Sequence, residues 1–337
     1  MTHQFLARSD GRVHEEALFA DRWIRLLYSR SREQLPFLLR AVTSRWSTRL
    51  LGWVNFDLPY GAKITGNRKF LERCGVDLSE CLDDPSHFTT VRRVFERRIR
   101  YEECRPMPDD LGHVVSPADS KVVVGSLSES ARLEIKGKFF DLQELLGDRP
   151  NWTERFREGD FGIFRLTPEK YHYNHAPVTG VVEDLYEVHG RYHSCNPSAV
   201  VEMVTPYSKN RRVVTVVQTD VPGGTGVGRV AMIEVVALLI GDIVQCSSDE
   251  AYDDPHDNPV GSMIRRGRPK SLFRPGSSTT VLLFEPGRIQ FDDDLARNRI
   301  RVDVESRFSR GFGQPIVETD VAVREGIATR VAMEEAR

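Results

Sequence analysis

The sequence predicts an α+β protein in which a helical N-terminal region, residues 1–105, packs on a β-rich, sandwich- or barrel-like domain, residues 106–337. Three observations predict it. Apolar residues recur at helical spacing through residues 17–57. The texture changes at Pro106, Pro108 and Gly112, where chain-breaking residues gather. Beyond Val114, short runs rich in Val, Ile, Phe and Thr alternate with turns, the pattern of many short strands.

In chain order, the helical stretch carries Trp23, Leu26, Leu27, Leu35, Leu38, Trp46, Leu50 and Trp53 on its apolar stripe. Arginines fill the gaps, and Asp21, Glu33 and Asp57 are its only acids. Two readings stay open: a basic, Trp-bearing face laid on an anionic membrane surface, or helices packed on the protein's own core. Residues 66–104 continue in a charged, helical style. Strands are expected at Val114-Val115, Lys121 to Val124, Phe161 to Leu166, Val213 to Gln218, Val230 to Leu239, Thr279 to Phe284 and Arg299 to Val304, with one helical turn at Leu142 to Leu146. Residues 247–270, rich in Asp, Pro, Gly and Arg, read as a long loop.

Composition narrows the function. A formal net charge of -2 argues against a dedicated nucleic-acid binder. The five cysteines are scattered without CxxC spacing, so neither a zinc cluster nor a disulfide framework is expected, and a reducing cytoplasm is the simplest setting. The first ten residues lack the apolar core of a signal peptide. No run approaches the roughly 18 apolar residues of a spanning helix, so any membrane contact is expected to be peripheral.

Three segments carry the chemistry. Ser116-Pro117-Ala118-Asp119-Ser120 sets an acid in a turn before a strand, an ordinary place for a turn-forming Asp. Tyr171-His172-Tyr173-Asn174-His175-Ala176-Pro177 sets two histidines three apart. With no third ligand nearby, a metal is not expected; the pair reads as hydrogen-bonded loop histidines or as general acid and base. Gly276-Ser277-Ser278-Thr279 runs directly into the apolar strand Val281-Leu282-Leu283-Phe284. Alone it is a flexible turn, and it lacks the Gly-x-Ser-x-Gly elbow.

Together the segments resemble the phosphatidylserine decarboxylase family. The first is similar to its SPADG element, the second to YHRxHxP, and the third to the LGST or GGST self-cleavage element. Ile135-Lys136-Gly137-Lys138 with Leu142 to Gly147, the glycines from Gly223 to Gly228, and Gly313-Gln314-Pro315 add matches in the right order, from about residue 90 to 316. Ser120, Tyr173 and Asn174 depart from the usual residues, and the run from Arg266 to Phe273 is eroded.

The resemblance implies a proenzyme that cuts itself and turns a serine into an N-terminal pyruvoyl group. Length matching to the GGST form favours Ser278, cut after Ser277; cutting between Gly276 and Ser277 is the alternative. By the same resemblance His175 is the base, Asp119 orients it, and His172 handles substrate and protonation. The products are a β chain ending at 277 and an α chain starting at 278. The pyruvoyl carbonyl forms a Schiff base with phosphatidylserine at a membrane surface and yields phosphatidylethanolamine. A homodimer is implied as well. Decarboxylation of a free amino acid and an uncleaved, non-catalytic homologue are the competing readings.

Overall fold

The computed structural model describes residues 2–16, 18, 53–59, 63, 66–130, 139–203, 205–237, 242–276 and 278–332. Most of the basic helical stretch, and the Ile135 to Lys138 match, lie outside the described residues. The strands are β1 (Gln4–Ala7), β2 (Val13–Glu15), β3 (His113–Val115), β4 (Ser120–Ser126), β5 (Asp160–Leu166), β6 (Tyr173–His175), β7 (Gly180–Val188) and β8 (Arg212–Gln218). They continue with β9 (Arg229–Val236), β10 (Ile243–Gln245), β11 (Met263–Ile264), β12 (Pro269–Phe273), β13 (Ser278–Phe284), β14 (Ile289–Phe291), β15 (Thr319–Val321) and β16 (Gly326–Arg330).

The fold is α+β. Ten strands form an open sheet in the order β11-β7-β8-β9-β13-β5-β4-β15-β1-β2, so it has two edges and does not close into a barrel. Two three-stranded sheets, β10-β12-β6 and β14-β16-β3, complete the β structure of the described residues. The strand β13 is buried along its whole length between β9 and β5. Its side chains alternate. Val281 and Leu283 join a core with Phe139, Phe140, Leu145, Phe156, Phe308 and Phe312. Leu282 and Phe284 join a second core with Val114, Ile289, Ile327 and Ala328 from the β14-β16-β3 sheet. A strand covered on both faces needs a continuous apolar run, which is why the sequence marks it so clearly.

Two expectations need correction. Gln4–Ala7 and Val13–Glu15 are strands on the large sheet rather than part of a helical region, and β1 pairs in parallel with β15. Arg299 to Val304 is not a strand. Asp293–Arg299 is a helix with Asp293 and Asp294 in its first turn and Arg297 and Arg299 in its last, which suits the helix dipole. Val302 beyond it is 85% exposed. Among residues 53–105 the described helices are short: Trp53–Asp57, Asn67–Arg73, Pro85–His87, Val91–Phe95 and Tyr101–Cys104. Among the described residues no helix is long and apolar enough to cross a membrane.

The N-terminal strands are locked by charge. Arg165 on β5 holds Glu16 and Glu318 with bonds of 2.6–2.9 Å. His3 lies 2.8 Å from Glu318 through Nε2, and its Nδ1 accepts from the Arg307 N–H. The ligand atoms of His3, Glu16 and Glu318 come within 4.8 Å of one another. Arg165 already occupies both carboxylates, so the cluster reads as an ion-pair knot rather than a cation site.

Candidate active site

The three motif segments meet at one end of the large sheet. Ser278 opens β13, facing Leu166 on β5 and Val236 on β9. Those two residues pack in one apolar cluster with Ala118, next to Asp119, and with Phe273. The Phe273 N–H donates to the carbonyl of His172 at 3.1 Å. The His175 N–H donates to the carbonyl of Pro117 at 2.8 Å. Gly276 stands at φ +148°, a backbone setting that L side chains rarely adopt. Ser277 lies outside the described residues.

The Ser278 hydroxyl is buried and, among the described residues, has no hydrogen-bond partner. Such an orphan is expensive in a core, and functional atoms account for many of them. A second orphan is His172 Nε2. The ring of His172 donates from Nδ1 to the carbonyl of Lys170 at 2.7 Å, which leaves Nε2 as an open lone pair. Phe95 lies against it with ring centroids 4.2 Å apart. Burial, aided by the Arg97 guanidinium, pushes the His172 pKa down to about 3.

His175 is equally dry, and burial brings its pKa to about 3. Its Nδ1 donates to the carbonyl of Gly267 at 2.9 Å. That fixes the tautomer, and Nε2 then accepts from the Tyr171 hydroxyl at 2.9 Å. Gly267 has φ +76°, and a Cβ there would lie 2.5 Å from Met107 Sδ. Tyr171 in turn lies 2.7 Å from the Tyr252 hydroxyl, which the Ile99 N–H and carbonyl bracket.

Asp119 is buried and held by the fork of Arg105 at 2.9 and 3.0 Å and by the Val323 N–H at 2.8 Å. Burial opposes its charge, but Arg105 outweighs burial and holds the carboxyl below the usual range. Among the described residues Asp119 and His175 share no hydrogen bond; their segments join through the Pro117 carbonyl instead. Arg105 also grips Glu80, so the helical region supplies part of this wall.

Sequence reasoning missed Phe95, Arg97, Arg105 and Tyr252, whose roles depend on contacts distant in sequence. It also missed a buried polar chain that left a visible trace, a charge inside an apolar run. Glu234 on β9 and Lys270 on β12 are fully buried and paired at 2.9 Å. From them a hydrogen-bonded line runs through Ser271 and Asn174 to Thr280 on β13. Taken together, the site holds a partnerless hydroxyl and uncharged imidazoles away from water, a setting suited to proton transfer and acyl chemistry.

Residues 91–309 match the sequence model of the family described as phosphatidylserine decarboxylase. A phosphatidylserine decarboxylase proenzyme of Bordetella avium is 32% identical, over 69% of this chain and 80% of its own length. One from Bordetella petrii is 30% identical over 67% and 79%. Phosphatidylserine decarboxylase proenzyme 3 of Schizosaccharomyces pombe is 28% identical over 92% of this chain, which spans 30% of that longer protein. The chain belongs to the phosphatidylserine decarboxylase family.

Proposed function

We propose that this chain is a phosphatidylserine decarboxylase proenzyme that cuts itself before Ser278 and then releases carbon dioxide from phosphatidylserine. The observation that carries the reading is the buried, partnerless Ser278 hydroxyl at the head of a central strand, on the same end of the sheet as two neutral histidines.

The first task falls to the chain's own atoms. The Ser278 oxygen attacks the carbonyl of residue 277 while an imidazole takes its proton. The C–N bond breaks, the nitrogen gains a proton, and an ester links the two segments. Loss of the α proton of residue 278 then expels the upstream carboxylate. Water replaces the freed amine, ammonia leaves, and a pyruvoyl group caps the downstream chain. Every atom but the water comes from residues 277 and 278.

The residues suit such a group: the Ser278 hydroxyl is buried without a partner among the described residues, and two imidazoles accompany it at this end of the sheet. The pyruvoyl carbonyl supplies an electron sink for decarboxylation of an amine-bearing acid. The protein then excludes water and supplies a proton at the substrate carbon. We assign that transfer to His172, whose open Nε2 first takes a proton from the incoming substrate ammonium and then returns it to that carbon. The serine proton goes to His175 once the Tyr171 hydroxyl turns away from Nε2, with the Asp119 segment joined to the loop through the Pro117 carbonyl rather than by direct contact of the carboxylate.

One observation favours a second assignment: His172 Nε2 is already free, whereas both His175 nitrogens are engaged. Substituting each histidine by alanine separates the two. His175→Ala should leave one band on a denaturing gel, and His172→Ala should give two; the reverse pattern exchanges the roles. Ser278→Ala should remain a single chain. A wild-type protein of intact mass, without a ketone, would end the reading. A phospholipid surface and a pairing of two copies belong to the same proposal. The 55% exposed Trp53 is an apolar side chain available to such a surface.

A further inference from the structure

Ser277 and Ser278 are adjacent hydroxyls, yet a self-cutting chain must choose one. We propose that Asn174 is a positioning residue that makes the choice: through Thr280 it holds β13 so that Ser278 is presented to the histidine loop. The inference rests on the self-cleavage reading above and asks what selects the bond.

The argument starts from a charge. The Glu234 carboxylate can only accept, and it takes hydrogen bonds from Lys270 Nζ at 2.9 Å, from Gln245 Nε2 at 3.1 Å and from the Ser271 hydroxyl. Ser271 has then spent its one proton, so its oxygen accepts from Asn174 Nδ2 at 3.2 Å. That fixes the amide of Asn174, whose Oδ1 is turned to Thr280 and accepts the Thr280 hydroxyl at 2.9 Å. One buried ion pair thereby orders every donor along the line, as a fully satisfied network does.

The line ends where it matters. Asn174 stands between His172 and His175 in the chain, and its β6 neighbours pair with β12. Thr280 sits two residues from Ser278. Side chains on a strand alternate with a period of two, so Ser278 shares the Thr280 face. The cores confirm the parity, with Leu282 and Phe284 on one side and Val281 and Leu283 on the other. A slip of one residue would send the face of Ser278 to the opposite side. The Asn174–Thr280 bond joins β13 to the histidine strand at this face. Asn174 and Thr280 touch no reacting atom; they act through the placement of Ser278.

The test measures the first-order conversion of one chain into two and the mass of the downstream product. In wild type that product should begin at position 278 alone. Thr280→Val keeps the side-chain shape and removes the hydroxyl; it should slow the cut about ten- to hundred-fold, the scale of a small misplacement. Thr280→Ser restores the hydroxyl and should return most of the rate, an outcome a packing role would not give. Asn174→Leu should slow the cut as Thr280→Val does. Melting of the same variants with Ser278→Ala reports the fold separately. Wild-type speed in Thr280→Val, no rescue by Thr280→Ser, or a wild-type product beginning at position 277 would each overturn the inference while leaving self-cleavage in place. A wild-type chain that never cuts would instead overturn the proposed function.

Discussion

Lys270→Met removes the cation from the buried Lys270–Glu234 pair and keeps most of the volume. Both residues are 0% exposed, and the separation is 2.9 Å. At an effective dielectric of about 20, two unit charges at that distance attract by about 6 kcal/mol. Desolvation has cancelled much of this in the folded state, so the net value of the pair is far smaller than the attraction. Removing one member is another matter, because it strands a carboxylate where no water reaches. Breaking a buried pair in this way costs about 3–5 kcal/mol, against a total stability of about 5–15 kcal/mol for an ordinary domain. Lys270 also gives up a 2.9 Å bond to Gln245 Oε1, which adds to the loss within that range. The assay is urea unfolding with Ser278→Ala present, so that a single uncut chain unfolds. Lys270→Met should lose about 3–5 kcal/mol. Adding Glu234→Gln should recover most of it, since the stranded charge is then gone. A loss under about 1 kcal/mol, or a double variant no better than the single, would refute the view that this charge is buried and orders the polar line.

The remaining predictions concern titration and the Asp119 fork. His172 and His175 have pKa values near 3, against an ordinary 6.5, so the unfolded chain binds protons between those limits while the folded chain does not. Their stabilisation is complete above pH 6.5 and declines as pH falls toward 3; at pH 4.5 the two together should have lost about 5 kcal/mol. A stability curve that is flat from pH 6.5 to 4.5 would contradict this, and His172→Gln should reduce the slope. Asp119→Asn keeps the Val323 contact but removes the charge facing Arg105, which retains Glu80. A loss of about 3 kcal/mol is expected by urea unfolding. With wild-type charge the Asp119 contribution should be complete above pH 3.8 and decline as pH falls below it, until the lowered folded-state value is passed.

What the sequence disclosed and what it withheld follow from the range of the interactions. A centrally buried strand such as β13 announces itself as an apolar run, and the turn before it as Gly and Ser. The loop at residues 171–177 was legible because two imidazoles three apart are rare. By contrast β7, Gly180–Val188, carries Glu183, Asp184 and Glu187. Its pattern is blurred because only short β11 flanks it on one side. Arg299 to Val304 looked like a strand because β-branched residues alternate with arginine there. The acidic run from Asp292 to Asp294 starts a helix that the alternation conceals. Arg105 was invisible as a site residue, since nothing local tells a helix-end arginine that its fork will close on Asp119. Glu234 was readable in principle: a lone charge in an apolar strand demands a buried partner.

The N-terminal strands acquire a further role if the chain is cut. Residues 2–16 then belong to the upstream product, while their partners Asp292, Asp294, Glu305, Arg307, Glu318 and Asp320 belong to the downstream one. Arg8 alone reaches Asp292 and Asp294 at 2.7 Å. Glu16 is the upstream acid on Arg165, and Glu318 is the downstream one. Before the cut these contacts are intramolecular, and the tether at position 277 makes their loss tolerable. After it, the products are held by non-covalent contact alone and lose that effective concentration. Deleting residues 2–16 should therefore lower the urea concentration at which the two products separate on a sizing column. The same deletion should shift the unfolding of the uncut Ser278→Ala chain less. Equal shifts in both forms would mean that β1 and β2 stabilise the sheet as a whole, and that their contacts to the downstream segment have no special part in holding the halves together.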